Sequence, residues 1–427
     1  MSLADVNLWG RRIGAVRQDS PDASAVFEYD PPFLASGVEP SPLQMPKRSG
    51  LYEFPALPRA TFHGLPGMLW DSLPDNFGRR LIERYFESVG KPASSLDAVQ
   101  MLCYVGTRGM GALEFTPAVD RPAVGAPVDI ARLREFAALA YEDDVSWSTE
   151  LSTGDGMEEL LEVGTSAGGA RPKAVIGWNP VTDEVRSGRV DLADGFQYWI
   201  LKFDGVGDEG REFGRSRGYG SIEYAYSLLA ARAGVEMADC RIFAEGGRRH
   251  FMTRRFDRRA DGSKLHMQTH AGLTHVDFNQ PGSASYEDVF DTLRTINAPG
   301  ADIEQQYIRM LFNVVARNQD DHPKNISYLM DKRGDWRLSP AYDLSFAFNP
   351  TGEFTSRHQM SINGKLDGFA VADFEAVAER AGLVRGRWRT LLDQVIASTT
   401  AWASAADAAE VPRERAAAIQ EVFRLEF

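Results

Sequence analysis

The first hundred or so positions alternate apolar and polar residues in short runs, which Pro and Gly interrupt. Residues 6–16 and 24–30 follow this period-two pattern, which predicts short strands joined by turns. The pattern then passes through a turn-rich loop into helical spacing, for which Asp75 or Asn76 is the expected N-cap. A second short helix follows, also after a capping residue. We therefore predict a small α+β module over residues 1–119.

The next part, residues 120–257, combines a helical stretch with several apolar strands. A loop of small residues leads into one apolar strand, and residues 196–205 predict another. An amphipathic helix separates that strand from a predicted hairpin, whose turn lies around Glu245, Gly246 and Gly247. This part therefore completes a sheet-rich half of the chain.

Helical spacing dominates the last part, residues 258–427. Apolar residues recur at helical intervals over 288–296, 304–318 and 373–383, and again near the C-terminus. Between the second and third of these stretches, residues 326–339 predict a hairpin of two short strands. A sheet-rich half followed by a helix-rich half predicts an α+β fold of two lobes with a cleft between them.

The overall composition narrows the class of protein. A chain of 427 residues is too long for one ordinary core, so two or three domains are expected. The net charge of −13 argues against this chain alone binding a nucleic-acid backbone, although it is compatible with a partner that binds DNA. Two cysteines are too few for a disulfide scaffold. Without a signal-like N-terminus or a bilayer-length apolar run, a cytoplasmic location is expected.

A loop of small residues precedes the first apolar strand of the middle part. Small side chains let the backbone approach a phosphate closely, and successive N–H groups form an anion-binding nest. The loop matches neither the GxxxxGK[ST] phosphate loop nor the dinucleotide-binding GxGxxG, and Gly-Gly loops are common. The loop alone therefore does not identify a phosphate site. Its residues are Ser166, Ala167, Gly168, Gly169, Ala170, Arg171, Pro172 and Lys173.

Lys202 lies at the inner end of the alternating strand 196–205. A lone lysine at a strand end commonly extends to solvent. In a phosphoryl-transfer site the same lysine would hold phosphate oxygens, and Glu223 on the following helix would orient it, as in protein kinases. Both interpretations stay open on this pattern alone.

Acidic and amide residues cluster between an apolar helix and the predicted hairpin. Asp320 and Asn325 have D-x-x-x-x-N spacing, which lets one turn present a base to a nucleophile and an amide oxygen to magnesium. Asp343 would be a second ligand, because magnesium favours hard oxygen ligands together with substrate phosphates. Each residue alone is also typical of a helix cap or a turn. The order of these features along the chain is nevertheless the order of parts in a kinase: small-residue loop, strand lysine, helix glutamate, hairpin, D-x-x-x-x-N and later aspartate.

Three histidines offer a competing metal site. His266, His270 and His275 lie close together in the sequence, with Asp277 beside them. Two histidines four residues apart bind zinc when their segment is helical. There is no H-E-x-x-H motif, and Gly272 interrupts the spacing, so we interpret these histidines as packing or hydrogen-bonding residues.

With these residues the sequence resembles the HipA family, the serine/threonine kinase toxins of bacterial toxin–antitoxin systems. NQDDHPKN followed by LSPAYDLS is similar to that family's catalytic and metal-binding segments, and SAGGARPK is similar to its glycine-rich loop. YWILKFD is similar to its nucleotide-lysine strand and TRRFDR to its hinge. HMQTHAGLTHVDFNQPGSASYEDV and GLPGMLWDSLPDNFG resemble further segments, so the resemblance extends over most of the chain.

The resemblance implies a bilobal kinase fold with ATP between the lobes and magnesium coordinated by protein and phosphates. It implies that Asp320 is the catalytic base and that Asn325 and Asp343 bind magnesium. Lys202 would contact the nucleotide phosphates. Pro172 departs from the polar, flexible loop that we expect at its position, because proline has no N–H to donate.

The same resemblance assigns residues around the nucleotide. The backbone of Arg254 and Phe256 would meet the adenine, although we expect an acidic residue at the first of these positions. His322 and Lys324 complete the expected cofactor-binding residues, with His322 orienting its loop. Ser166 falls at the family's autophosphorylated serine. A phosphate there would add about two negative charges near ATP, so repulsion would make the modification inhibitory.

The leading hypothesis is an ATP- and Mg²⁺-dependent protein serine/threonine kinase, the toxin of a toxin–antitoxin pair, self-inhibited through Ser166. The resemblance implies a small DNA-binding antitoxin as partner and a translation protein, such as an aminoacyl-tRNA synthetase, as substrate. A small-molecule kinase with the same cleft and an inactive kinase-fold binding module are the alternatives. Intact Lys202, Asp320, Asn325 and Asp343 count against the inactive module, because a pseudokinase usually lacks at least one of them.

Overall fold

The described part of the chain divides into two compact units. One unit contains residues 1–217 and 243–267, and the other contains residues 218–242 and 268–427. The computed structural model describes residues 1–74, 76–88, 90–118, 128–141, 172–188, 192, 194–206 and 218–427.

The N-terminal sheet contains the strands β1 (Ser2–Leu8), β2 (Arg11–Gln18), β3 (Val26–Tyr29), β4 (Leu51–Tyr52) and β5 (Leu113–Thr116). The strands are antiparallel and lie in the order β4-β3-β2-β1-β5. Alternate side chains such as Val6, Leu8 and Val16 are fully buried, which is the pattern that predicted strands here. Trp9 and Gly10 connect β1 to β2 with φ values of 52° and 76°, the left-handed conformations that a tight hairpin turn requires.

In the residues that the structure describes, the same unit also contains six helices. α5 begins with a capping box, in which Asp97 accepts from the Gln100 N–H and the Gln100 side chain accepts from the Asp97 N–H. Of the two expected capping residues of α4, Asn76 is the first helical residue, and Asp75 lies outside the described residues, so the cap stays a prediction. The helices are α1 (Pro31–Leu34), α2 (Arg59–Phe62), α3 (Gly67–Trp70), α4 (Asn76–Ser88), α5 (Ala98–Val105) and α6 (Ile130–Tyr141), with a 3₁₀ turn at Ala93–Ser95.

A second five-stranded sheet follows in the chain. Its strands are β6 (Lys173–Trp178), β7 (Val185–Ser187), β8 (Gln197–Lys202), β9 (Cys240–Glu245) and β10 (Arg248–Arg254), in the order β7-β6-β8-β10-β9. Gly246 and Gly247 join β9 to β10 with φ values of 54° and 75°, so the predicted hairpin is confirmed. Helix α7 (Tyr219–Arg232) lies between β8 and β9 in the sequence.

Helices dominate residues 268–427. They are α8 (His270–Thr274), α9 (Tyr286–Thr295), α10 (Gly300–Val315), α11 (Val371–Ala381), α12 (Arg387–Thr399), α13 (Trp402–Ala408) and α14 (Arg413–Gln420). A small sheet in the order β11-β12-β13 contains β11 (His266–Thr269), β12 (Ser327–Met330) and β13 (Trp336–Leu338). α10 is a core helix, because Tyr307, Leu311 and Phe312 on it are fully buried.

The predicted α+β fold class is confirmed by these sheets and helices. The β12–β13 hairpin and the helices near the C-terminus lie where the apolar patterns place them. The predicted domain boundaries after residues 119 and 257 stay a prediction. Across the described ranges, every helix is either too short or too polar to traverse a lipid bilayer.

Candidate active site

The acidic segment, residues 318–325, follows α10 after a left-handed turn. Arg317 has a φ of 57°, a conformation that stops the helix. The Gln319 N–H then donates to the Ala347 carbonyl at 3.1 Å. At the other end, the 3₁₀ turn Pro323–Asn325 leads into β12. Main-chain structure therefore fixes both ends of the acidic segment.

Asp320 and Asn325 share one turn within the acidic segment. The Asp320 side chain is 52% exposed. The Asn325 Nδ2 donates to the main-chain oxygen of Asp320 at 3.0 Å, and the Asn325 N–H donates to the His322 carbonyl at 2.9 Å. Because the amide nitrogen of Asn325 is engaged, its oxygen Oδ1 is the end that a cation would bind. The turn therefore brings an exposed carboxylate close to an oriented amide.

His322 and Lys324 both pack on the ring of Phe278. The His322 and Phe278 ring centroids lie 5.4 Å apart in a T-shaped contact, and the Lys324 Nζ lies 5.2 Å from the Phe278 centroid. The His322 Nε2 lies 3.9 Å from the Asp320 Oδ1, which is too long for a hydrogen bond. The packing of His322 on Phe278 therefore suits His322 for orienting the acidic segment.

Asp343 is joined to the acidic segment through its neighbour Tyr342. The Tyr342 hydroxyl donates to the Lys324 carbonyl at 2.8 Å and lies 2.6 Å from the Ser327 hydroxyl. Asp343 itself is partly buried and has a φ of 56°. A left-handed backbone is uncommon outside glycine and is frequent at functional sites. Asn325 and Asp343 are thus held in segments that are hydrogen-bonded to each other.

Asp321, the residue after Asp320, is a buried carboxylate with 1% side-chain exposure. It accepts hydrogen bonds from Tyr286, His358 and Gln359. Burial alone would raise the pKa of Asp321, but the charge on His358 and these hydrogen bonds lower the pKa below its ordinary value. The sequence pattern indicates no role for these side chains, because the two consecutive aspartates are its sole local sign of the network.

Lys173 and Lys202 occupy directly opposed positions on the antiparallel strands β6 and β8. Opposed residues project their side chains to the same face of a sheet, where two like charges repel. Lys173 is 3% exposed, and the Lys202 Nζ lies 5.7 Å from the centroid of the Phe251 ring. Two positively charged side chains at one position on a sheet are suited to binding a polyanion.

Other predicted residues are placed separately or lie outside the described residues. Glu223 lies on α7 and is 5% exposed. Its pairing with Lys202 stays a prediction, because the two residues belong to separately described units. Pro172 accepts a hydrogen bond from the Phe203 N–H at 3.2 Å, so its carbonyl extends the strand pairing. Ser166, Ala167, Gly168, Gly169, Ala170 and Arg171 lie outside the described residues.

The predicted hinge alternates buried and part-exposed residues. Arg254 and Phe256 are part-exposed, whereas Arg255 and Asp257 are buried. The Asp257 carboxylate accepts from Arg255 at 2.7 and 3.0 Å and from Arg258 at 2.8 Å. Burial would raise the pKa of Asp257, but the two guanidinium groups hold the pKa far below its usual range. This buried ion cluster fixes the backbone that is predicted to meet adenine.

The histidines form packing and hydrogen-bonding contacts. The His266 Nε2 lies 2.8 Å from the Pro40 carbonyl oxygen, and the His270 Nδ1 lies 2.9 Å from the Tyr328 hydroxyl. Burial lowers the pKa of both histidines to about 4. In the part of the chain that the structure describes, no three His, Cys, Asp or Glu side chains are grouped to hold a metal ion. The zinc interpretation therefore gains no support there.

Two family models match this chain. One describes a HipA N-terminal domain and matches residues 4–116, and the other describes a HipA-like C-terminal domain and matches residues 165–403. The second match alone covers more than half of the 427 residues. The chain belongs to the HipA family. The resemblance inferred from its motifs is therefore confirmed.

Relatives of this HipA-family chain extend the comparison. Y4mE of Sinorhizobium fredii, named as a candidate kinase, is 30% identical over 182 residues, which are 39% of this chain and 42% of that relative. The match thus spans about two fifths of that relative's length. HipA of Shewanella oneidensis MR-1, solved with HipB and operator DNA, is 19% identical with a TM-score of 0.69, over 98% of this chain and 96% of that one. The likeness establishes a shared fold.

Proposed function

We propose that this protein is an ATP- and Mg²⁺-dependent protein serine/threonine kinase that acts as the toxin of a toxin–antitoxin pair. The observation that carries the proposal is the acidic segment, where Asn325 donates to the main chain of the exposed Asp320. The Tyr342–Lys324 hydrogen bond joins the stretch that carries Asp343 to the same segment. An exposed base, an oriented amide oxygen and a second carboxylate are the protein groups that phosphoryl transfer uses.

In the proposed reaction, Asp320 accepts the proton of a serine or threonine hydroxyl. The oxygen of that hydroxyl bonds at the same time to the γ-phosphorus of ATP. The bond between that phosphorus and the β–γ bridging oxygen breaks, so the products are a phosphorylated side chain and ADP. Asn325 and Asp343 would supply hard oxygen ligands to Mg²⁺, which neutralises charge on the transferring group. With two protein ligands, phosphate oxygens and water would supply the rest of the Mg²⁺ coordination.

Lys202 and Lys173 would bind the ATP phosphates. Their directly opposed positions on β8 and β6 place two positive charges on one face of the sheet. A polyphosphate would be attracted by both positive charges, so this pair of lysines suits the phosphates of ATP. The hinge backbone at Arg254 and Phe256, fixed by the buried Asp257 cluster, would contact the adenine.

We further propose that phosphorylation of Ser166 switches the kinase off. The position of Ser166 in the small-residue loop before Lys173 supports this proposal. A phosphate there would place about two negative charges close to the site that binds ATP phosphates. Glu223 is proposed to orient Lys202, as the helix glutamate does in protein kinases.

The proposed partner is a small DNA-binding antitoxin, and the proposed substrate is a protein of translation. The Shewanella relative was solved together with HipB and operator DNA, and it shares its fold with this chain. The net charge of −13 suits a complex in which the partner makes most DNA contacts. The proposed site of action is the cytoplasm, where such partners are found.

Mass spectrometry of the purified protein, before and after incubation with Mg-ATP, tests this proposal. One added phosphoryl group on Ser166 in the wild type, absent from Asp320→Asn, is the expected result. A wild type that neither gains phosphate nor converts ATP to ADP, alone or with its antitoxin, would contradict it. Conversion of ATP with a metabolite but no protein substrate would favour a small-molecule kinase. Failure of ATP to raise the unfolding temperature would favour an inactive binding module.

A further inference from the structure

Asp320 and Asp321 are consecutive carboxylates with opposite surroundings. The Asp320 side chain is 52% exposed, whereas the Asp321 side chain is 1% exposed. The proposed reaction uses the exposed carboxylate and assigns nothing to the buried one. A carboxylate loses much solvation on burial, so its retention at this position calls for a specific role.

Three donors surround the Asp321 carboxylate. The Tyr286 hydroxyl donates to Oδ2 at 2.8 Å, and the His358 Nδ1 lies 2.8 Å from the same oxygen. The Gln359 main-chain N–H donates to Oδ1 at 2.8 Å. Both oxygens are thus used, and the donors come from α9 and from residues 358–359, far apart in the sequence.

A second layer of hydrogen bonds returns to the start of the acidic segment. The Asn313 Nδ2 on α10 donates to the Tyr286 hydroxyl at 2.9 Å, and the Asn313 Oδ1 accepts from the Asn318 Nδ2 at 2.9 Å. Asn318, Asn313, Tyr286 and Asp321 therefore form a closed circuit, since Asn318 and Asp321 belong to one short stretch of chain. This circuit fixes the segment on both sides of Asp320.

The Asp321 network also reaches an exposed stretch after Asp343. The Gln359 side chain donates to the carbonyl oxygens of Phe354 and Arg357, the latter at 3.3 Å. Phe354 is 47% exposed, while His358 and Gln359 are buried. One carboxylate thus holds the acidic segment and the end of this exposed stretch together.

We propose that Asp321 is a positioning residue that holds the Asp320 side chain in its catalytic orientation. It does so through its hydrogen bonds with His358, Tyr286 and Gln359, which also connect the acidic segment to residues 354–359. This inference rests on the proposed function, because Asp320 is taken as the base. Displacement of a reacting group by a fraction of an ångström lowers turnover without removing substrate binding. Asp321 therefore acts on the rate through Asp320 and touches no substrate.

Steady-state conversion of Mg-ATP to ADP by the full-length protein tests the inference. Asp321→Asn is expected to lower kcat by about 10- to 100-fold while the KM for ATP changes by less than about threefold. His358→Ala is expected to lower kcat by about the same factor. His358→Asn keeps a hydrogen-bond donor near the Nδ1 position, so its kcat should stay close to that of the wild type. The matched control is Asp335→Asn, whose side chain is 71% exposed on the hairpin and whose kcat should equal that of the wild type.

Three results would overturn the inference. They are an Asp321→Asn variant with wild-type kcat, a loss confined to KM, or His358→Asn and His358→Ala variants that lose activity equally. Should Asp321→Asn fail to fold, Tyr286→Phe removes the hydroxyl that donates to Oδ2 and accepts from Asn313, and it is expected to lower kcat about tenfold at unchanged KM. Wild-type kcat in that variant would equally contradict the role of the network.

Hydrogen exchange separates this inference from the proposed function. If the wild type forms no more ADP than Asp320→Asn, the proposed function fails while the network is still testable. In Asp321→Asn, or in Tyr286→Phe if that variant is needed, amide exchange at Gln359 and over residues 318–325 is expected to rise by about tenfold or more, with α12 unchanged. Equal exchange in variant and wild type would show that the network does not hold the segment.

Discussion

Asp257 and Asp321 are both almost fully buried carboxylates, but their partners differ in kind. Asp257 is bonded to Arg255 and Arg258, which both offer it a guanidinium group. Asp321 is bonded to one histidine, one tyrosine hydroxyl and one main-chain N–H. The hinge is thus fixed by ion pairs to two guanidinium groups, and the acidic segment by hydrogen bonds from a histidine ring, a hydroxyl and a main-chain N–H. The first arrangement suits a static support and the second suits a group held beside a reacting base.

Asp257→Asn should give the largest loss of stability. It would leave Arg255 and Arg258 buried side by side without a counter-charge, which costs about 3–5 kcal/mol of unfolding free energy. Asp321→Asn should cost less, about 1–3 kcal/mol, because the amide oxygen replaces one of the two carboxylate oxygens and no pair of guanidinium groups is left without a counter-charge. Urea unfolding of both variants measures the difference, and Asp335→Asn, with an expected change below about 0.5 kcal/mol, is the control. Equal losses of unfolding free energy in Asp257→Asn and Asp321→Asn would contradict the stated difference between the two sites.

Much of the acidic segment could be predicted because its chemistry lies in one contiguous run. The spacing of Asp320 and Asn325 sets which side chains share a turn, and the apolar patterns around them indicate the helix and the hairpin. The Asp321–His358 pair spans 37 positions, and no local pattern specifies that contact. The opposition of Lys173 and Lys202 depends likewise on strand register, which the loop and strand motifs left undetermined.

As the pH falls, the buried histidines should lower the free energy of unfolding at a higher pH than Asp257 and Asp321 do. Burial lowers the pKa of His266 and His270 to about 4 in the folded protein, from 6.5 for an unperturbed histidine. Below pH 6.5 the unfolded chain therefore takes up protons that the folded protein does not, so stability falls as the pH drops from 6.5 to about 4. The pKa values of Asp257 and Asp321 are lowered from 3.8, so their stabilising contributions are lost below that interval.

Unfolding free energies measured between pH 7 and pH 4 check this order of titration. His270→Gln removes one of the titrating groups and should make the fall shallower by as much as a few kcal/mol over the interval. The exposed-site variant Asp335→Asn should follow the wild-type curve. A His270→Gln curve parallel to the wild type would contradict the assignment of the acid loss to buried neutral histidine.

The smallest expected effect on stability concerns Lys173. Lys173→Met keeps the long apolar stem of this buried side chain and removes the positive charge opposite Lys202, so the unfolding free energy should change by less than about 1 kcal/mol. ATP affinity, measured by calorimetry, should fall by about tenfold in the same variant, because one phosphate contact is lost. A variant that loses stability and keeps ATP affinity would show that Lys173 is a structural residue.

The most direct test of the central claim is the rate of ATP-to-ADP conversion in Asp320→Asn, measured together with its affinity for Mg-ATP. Asp320 is exposed and the Asn325 side chain bonds to its main-chain oxygen, so the substitution leaves that turn intact. We expect the rate to fall by about 10²- to 10⁴-fold, with Mg-ATP affinity and the urea midpoint unchanged. A rate within about threefold of the wild type would contradict the assignment of Asp320 as the base.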